Sequence, residues 1–183
     1  MLPLMIDMKG RKVTVAGGGN IALRKLRVFM EHGADVTVVS PQAVDGIRKL
    51  AGSSEIQWKQ KTVEKTDLED AFIILAATDK REINEWIKDQ AAQHQLVSLI
   101  DQGSLSDFHM TSFMQRGHLS VSVSTHGASP ILGKKLCRQF MEQINESFIG
   151  ELSLMAQKRQ EINRSAVSRE EKVMLLKQMA EEV

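Results

Sequence analysis

The chain has 183 residues, of which 42% are hydrophobic and 26% charged, and its formal net charge is +1. That mixture can bury a sizeable core and excludes a disordered or fibrous chain. Near-neutrality argues against a nucleic-acid or anionic-membrane surface, which needs a marked basic excess, so any anion site must be local.

The N-terminal run "MLPLMIDMKG" is apolar for only a few residues before Asp7 and Lys9. It matches neither a signal peptide nor a membrane span, no later run reaches about 18 apolar residues, and a cytoplasmic protein is expected. "KVTVAG" then reads as a buried strand, and Ile21 to His32 as a helix ended by Gly33, with apolar residues at Ile21, Leu23, Leu26, Phe29 and Met30. "DVTVVS" is the next strand, and "PQAVDGIRKLAG" a short helix with a glycine exit. A weaker strand near "EIQWKQK", a buried run "AFIILAAT", a helix over roughly Lys80 to Gln93 and the run "LVSLID" follow. This alternation predicts an α/β fold with a parallel, doubly wound sheet. "HLSVSVST" sets Leu119, Val121 and Val123 against serines, the period of a half-exposed strand. Beyond Pro130 the pattern is helical, and the last helix is announced by Ser168 and Glu171 in capping-box spacing. The single cysteine, Cys137, falls within that helical region as a small, semi-buried residue; no activating constellation stands beside it, and one cysteine fits a reducing compartment.

The stretch Gly17-Gly18-Gly19-Asn20-Ile21-Ala22 has the form G-x-G-x-x-A, follows a strand directly and opens a helix. Gly17 permits a tight turn, Gly19 lets a pyrophosphate approach the backbone, Ala22 permits close packing of helix on strand, and the helix N-terminus offers amide donors. A glycine-rich turn without a ligand is the alternative. Ser40 ends the second strand, where an acidic residue would grip ribose hydroxyls. A serine binds them more weakly and does not repel a 2′-phosphate, so NAD and NADP both stay open, with Pro41 and Gln42 on the adenosine side.

Ligands of open α/β sheets lie beyond the carboxyl ends of the strands, and two such ends are polar here: Thr78-Asp79 and Asp101. Thr78 or Asp79 reads more simply as the cap of the following helix. Asp101, followed by Gln102-Gly103, is either a turn former or a functional carboxylate. His32, His94, His109, His118 and His126 include no i, i+4 pair and no Cys/His cluster exists, so no structural metal site is expected. Ser129 and Pro130 form an N-cap and first helical residue, with Lys134, Lys135 and Arg138 about one turn further on. That end of the helix is either an anion site or a solvated basic face.

Together, "GGGNIALRKLRVFMEHGADVTVVSP", "AATDKREIN", "LIDQGSLSDF" and "VSVSTHGASPILGKKLCRQF" resemble the precorrin-2 dehydrogenase family, the dehydrogenase/ferrochelatase module of siroheme synthesis. The resemblance spans nearly the whole chain. It implies a Rossmann domain over 1–112, a small α+β dimerisation region over 113–149, a helical C-terminal domain over 150–183, and a homodimer with its cleft between domains. It further implies NAD-dependent oxidation of precorrin-2 to sirohydrochlorin, with iron insertion as a second activity in bifunctional members. The family's essential aspartate falls on Asp101, and its cofactor contacts fall on Asn20, Ile21, Pro41 and Gln42. The run Phe108-His109-Met110 departs from relatives that carry a proline there. The fused methyltransferase module does not fit in 183 residues, so another protein is expected to make precorrin-2.

The residues agree with this chemistry. Precorrin-2 carries many carboxylates, for which Lys134, Lys135, Arg138 and the helix start at Ser129 form a matching surface. Oxidation requires hydride transfer to nicotinamide and loss of a proton, a role for Asp101 as base. Metal chelation would call on Asp101 and His109. A non-catalytic redox sensor built on a Rossmann domain is a third reading, disfavoured because a sensor has no need of the match around Asp101.

Overall fold

The computed structural model describes residues 1–165 and 167–181, and these divide into two units, Met1–His109 and Met110 onward. In the first unit β1 (Lys12–Ala16), β2 (Asp35–Val39), β3 (Gln57–Lys59), β4 (Ile73–Ala76) and β5 (Leu96–Leu99) form one parallel sheet in the order β3-β2-β1-β4-β5. The helices between them are α1 (Asn20–Glu31), α2 (Asp45–Gly52) and α3 (Arg81–Gln90). The fold is the expected α/β Rossmann type. Every residue of central β4 is buried, as are Val13, Val15 and Ala16 of β1, because helices cover both faces of a parallel sheet. The chain winds outward from β1 in one direction and from β4 in the other. Their carboxyl ends are therefore the switch point at which such sheets bind ligands.

Local chemistry sets the ends of the helices. α1 stops at His32-Gly33: Gly33 has φ +75°, and the amides of Gly33 and Ala34 donate to the carbonyls of Met30 and Phe29, a Schellman closure. α3 ends at Gln90, three residues short of the expected Gln93. The cause is Gln95, 5% exposed, whose Oε1 accepts from the Ala92 amide at 2.8 Å while Nε2 donates to the carbonyls of Leu68 and Ala71. The free edge of β5 is covered by its own downstream loop. Asp107 accepts from the Val97 amide at 2.8 Å, Ser106 accepts from the Leu99 amide at 2.9 Å, and the Asp107 amide donates to the Val97 carbonyl.

The second unit begins with a hairpin in which β6 (Ser112–Arg116) pairs antiparallel with β7 (Leu119–Val123). β7 is the strand expected from its alternation; β6 has no such pattern, since Phe113, Met114 and Gln115 are all exposed. Helices α4 (Pro130–Glu142), α5 (Glu146–Arg164) and α6 (Arg169–Glu181) follow. α4 lays Gly133, Cys137 and Met141 on the hairpin, a stripe at i, i+4, i+8. A Cβ on Gly133 would stand 3.0 Å from Ser112 Oγ, and the Cys137 thiol donates to the Ser112 carbonyl, so this cysteine is a buried packing residue. Arg116 closes the far end of α4 by donating to the carbonyls of Met141 and Ile144. The Ser168–Glu171 capping box forms as expected.

Candidate active site

The register Ala16↔Ala76 brings the glycine turn beside the β4 exit. Gly17 has φ +128°, and a Cβ there would lie 2.2 Å from the Ala77 carbonyl oxygen, so only glycine fits. Gly18 is equally constrained: its Cβ would lie 2.0 Å from the Gln42 carbonyl oxygen, and its own carbonyl accepts from the Val44 amide at 2.9 Å. No local pattern marks Gly18, because the contact depends on where the β2–α2 loop passes. Gly19 is the opposite case, since a Cβ there would meet nothing within 4 Å. Gly19 caps α1 in extended conformation, no side chain caps the helix, and no acid stands in its first turn. The result is a cradle of backbone amides at a positive helix end, open above Gly19 and fit for a pyrophosphate.

A cavity of about 710 Å³ opens from this cradle. Its wall includes Gly17, Gly19, Ile21, Ser40, Pro41, Gln42 and Thr78, which the structure thus gathers at one site. Asn20 is exposed at the first position of α1, and the wall passes it from Gly19 to Ile21. Ser40 is 4% exposed and its hydroxyl accepts from the Trp58 indole N–H at 3.2 Å, so an indole anchors the residue at the β2 exit. Arg48 also lines the cavity, and sequence reasoning did not find it.

Thr78 does not cap α3, whose N-cap is Lys80 without a side-chain bond. Its hydroxyl accepts from the Lys80 amide at 3.3 Å and donates to the Lys80 carbonyl at 3.0 Å, and the residue is held further by Asn84, a wholly buried residue of α3. Asn84 Oδ1 accepts from the Thr78 amide at 3.1 Å and from the Thr78 hydroxyl at 2.7 Å, and Nδ2 donates to the Thr78 carbonyl at 3.1 Å. The same Nδ2 donates to Asp101 Oδ1 at 3.1 Å, so a single carboxamide ties the exposed carboxylate at the β5 exit to the cavity rim at the β4 exit. A polar residue on the face of α3 that carries buried Ile87 was the signal available in the sequence. Beside Asp101, Arg81 donates to Gln102 Oε1 at 3.0 Å and pairs with Glu85, whose carboxyl this guanidinium holds below its ordinary value. His109 is bound to the same loop through the Gly103 carbonyl at 2.8 Å.

In the second unit Ser129 caps α4 by accepting from the Leu132 amide at 3.2 Å, with Pro130 at the first helical position as expected. Lys134, Lys135 and Arg138 are all exposed on that helix.

The fold and this site define an NAD(P)-binding Rossmann module, and a family model described as NAD(P)-binding matches residues 4–112. The likeness extends much further. The precorrin-2 dehydrogenase of Bacillus subtilis (strain 168) is 41% identical over 159 residues, 87% of this chain and 98% of that relative. A solved structure titled "SirC, precorrin-2 dehydrogenase" superposes with a TM-score of 0.79 at 33% identity, covering 98% of this chain and 89% of that one. The siroheme synthase of Actinobacillus pleuropneumoniae serotype 3 (strain JL03) is 30% identical over 156 residues, and the match covers 85% of this chain but 32% of that protein. The chain belongs to the precorrin-2 dehydrogenase family.

Proposed function

We propose that this chain oxidises precorrin-2 to sirohydrochlorin with NAD as hydride acceptor. The observation that carries the reading is the 41% identity over 98% of a precorrin-2 dehydrogenase, in a chain whose glycine cradle and cavity fit a dinucleotide. The nicotinamide, when bound, supplies the hydride acceptor. Gly17 and Gly18 hold the turn against β4 and β2, Gly19 and the first amides of α1 take the pyrophosphate, and Ser40, Pro41 and Gln42 take the adenosine half. Thr78 forms the rim next to Asp101. The substrate loses two electrons and two hydrogens, one as hydride and one as a proton, and Asp101 is the base that receives that proton. Ser129, Lys134, Lys135 and Arg138 hold the substrate carboxylates by charge-assisted hydrogen bonds.

Among the described residues no helix is long and apolar enough to cross a membrane. A cytoplasmic enzyme drawing on soluble NAD, paired as a homodimer through region 113–149, is the setting this reading gives it. The exposed row Ile131, Leu132, Leu136 and Phe140 on α4 supports that pairing. Incubation with precorrin-2 and NAD should produce NADH and the absorption spectrum of sirohydrochlorin in equal amounts; no NADH would sink the reading. Ferrous iron added afterwards asks separately whether siroheme forms.

A further inference from the structure

We propose that Asn84 is a positioning residue for the reaction, fixing the Asp101 carboxylate relative to the cofactor rim at Thr78. The inference rests on the reading of Asp101 as the proton acceptor. Asn84 has no exposed surface, whereas Asp101 is exposed and could turn freely about its side-chain bonds without a partner. The orientation of the carboxamide is forced by chemistry. The Thr78 amide can only donate and an ionised Asp101 can only accept, so Oδ1 must face the first and Nδ2 the second. All four hydrogen-bonding positions of the carboxamide are then used on two residues, Thr78 and Asp101.

A base must stand within hydrogen-bond reach of the proton it takes, while the hydride leaves toward a nicotinamide held from the β1 and β4 exits. Asp101 lies at the β5 exit, one strand beyond β4. The shared carboxamide makes the spacing of base and cofactor rim a property of a buried bond network rather than of two independent loops. Misplacement of about 1 Å costs on the order of 10²-fold in turnover.

The test measures kcat, the KM for precorrin-2, NAD affinity and thermal stability for four proteins: wild type, Asn84→Asp, Asp101→Asn and the double variant. Asn84→Asp keeps the acceptor for the Thr78 amide and hydroxyl but removes the donor to Asp101 and to the Thr78 carbonyl, and it sets a second carboxylate beside Asp101; Asn84→Ser, which adds no charge, must show the same kcat loss and is the fallback should the Asp variant fail to fold. The expected result is a kcat lower by roughly 10²-fold with NAD affinity and KM nearly unchanged, and no further loss when Asn84→Asp is added to Asp101→Asn. Normal kcat in Asn84→Asp, with Asp101→Asn inactive, overturns the role of Asn84 and leaves Asp101 as the base. Additive losses, or losses that follow NAD affinity and stability, reduce Asn84 to a brace for the Thr78 loop. Near-normal turnover by Asp101→Asn removes the base itself, and the proposal falls with it.

Discussion

Two neighbouring glycines make opposite demands at the residue scale. Gly19→Val adds a side chain where nothing lies within 4 Å, so the fold pays only the poorer cap, up to about 1 kcal/mol. The same side chain fills the space a pyrophosphate needs, and overpacking of about 1–3 kcal/mol raises the NAD dissociation constant roughly 5- to 150-fold. Gly18→Ala drives a Cβ into the Gln42 carbonyl and should instead lower the melting temperature. Calorimetric titration and thermal melts separate the two, and unchanged NAD affinity in the Val variant would refute the cradle. Asp67 makes a different prediction. Burial pushes its carboxyl up, but hydrogen bonds from Lys61, Lys59 and the Glu64 amide outweigh burial and hold it below its ordinary value. A depressed folded value means the stabilisation is present above the unfolded value of about 3.9 and is lost as pH falls through the folded one. Asp67→Asn should therefore cost about 1–2 kcal/mol at neutral pH. The difference in urea midpoint from wild type should shrink below about pH 4, and a constant difference would contradict the assignment. The glycine turn at Gly17 and Gly19 and the Ser129 cap were legible because each sits in a local pattern. Gly18 and Asn84 were not, because no local motif marks either: the constraint on Gly18 comes from where the Gln42 carbonyl passes, and the link from Asn84 to Asp101 crosses from α3 to the β5 exit.

Elements with a strict period were legible, and those shaped by one distant side chain were not. β1 and α1 follow their apolar periods, and β4 its unbroken apolar run. The early end of α3 depends on Gln95 reaching back to Leu68 and Ala71, and β6 forms because β7 offers it an edge rather than through any alternation of its own. At α4 the sequence left two readings of its basic start, and an experiment divides them. Lys134→Ala with Lys135→Ala removes two exposed cations from a helix whose packing stripe is Gly133, Cys137 and Met141, so stability should change by less than about 0.5 kcal/mol. The KM for precorrin-2 should rise, most at low salt where screening is weak, and NAD affinity should hold. An unchanged KM across salt concentrations would make these lysines a solvated face.

For the whole molecule, the two faces of α4 pose the remaining question. One face is covered by the hairpin, while the other leaves Ile131 82% and Phe140 48% exposed alongside Leu132 and Leu136. A chain of near-zero net charge has little electrostatic repulsion to keep such a row from pairing with a copy of itself. Burying a Phe or Ile side chain is worth about 1.5–3 kcal/mol, and a two-fold axis counts every such residue twice. Phe140→Glu together with Ile131→Glu replaces two apolar contacts per chain with charges that face their own copies. At micromolar concentration the wild type should sediment as a dimer and the double variant as a monomer. The lining of the dinucleotide cavity lies wholly within residues 1–109, so NAD should bind the monomer as it binds the dimer. A double variant that stays dimeric would move the interface off α4.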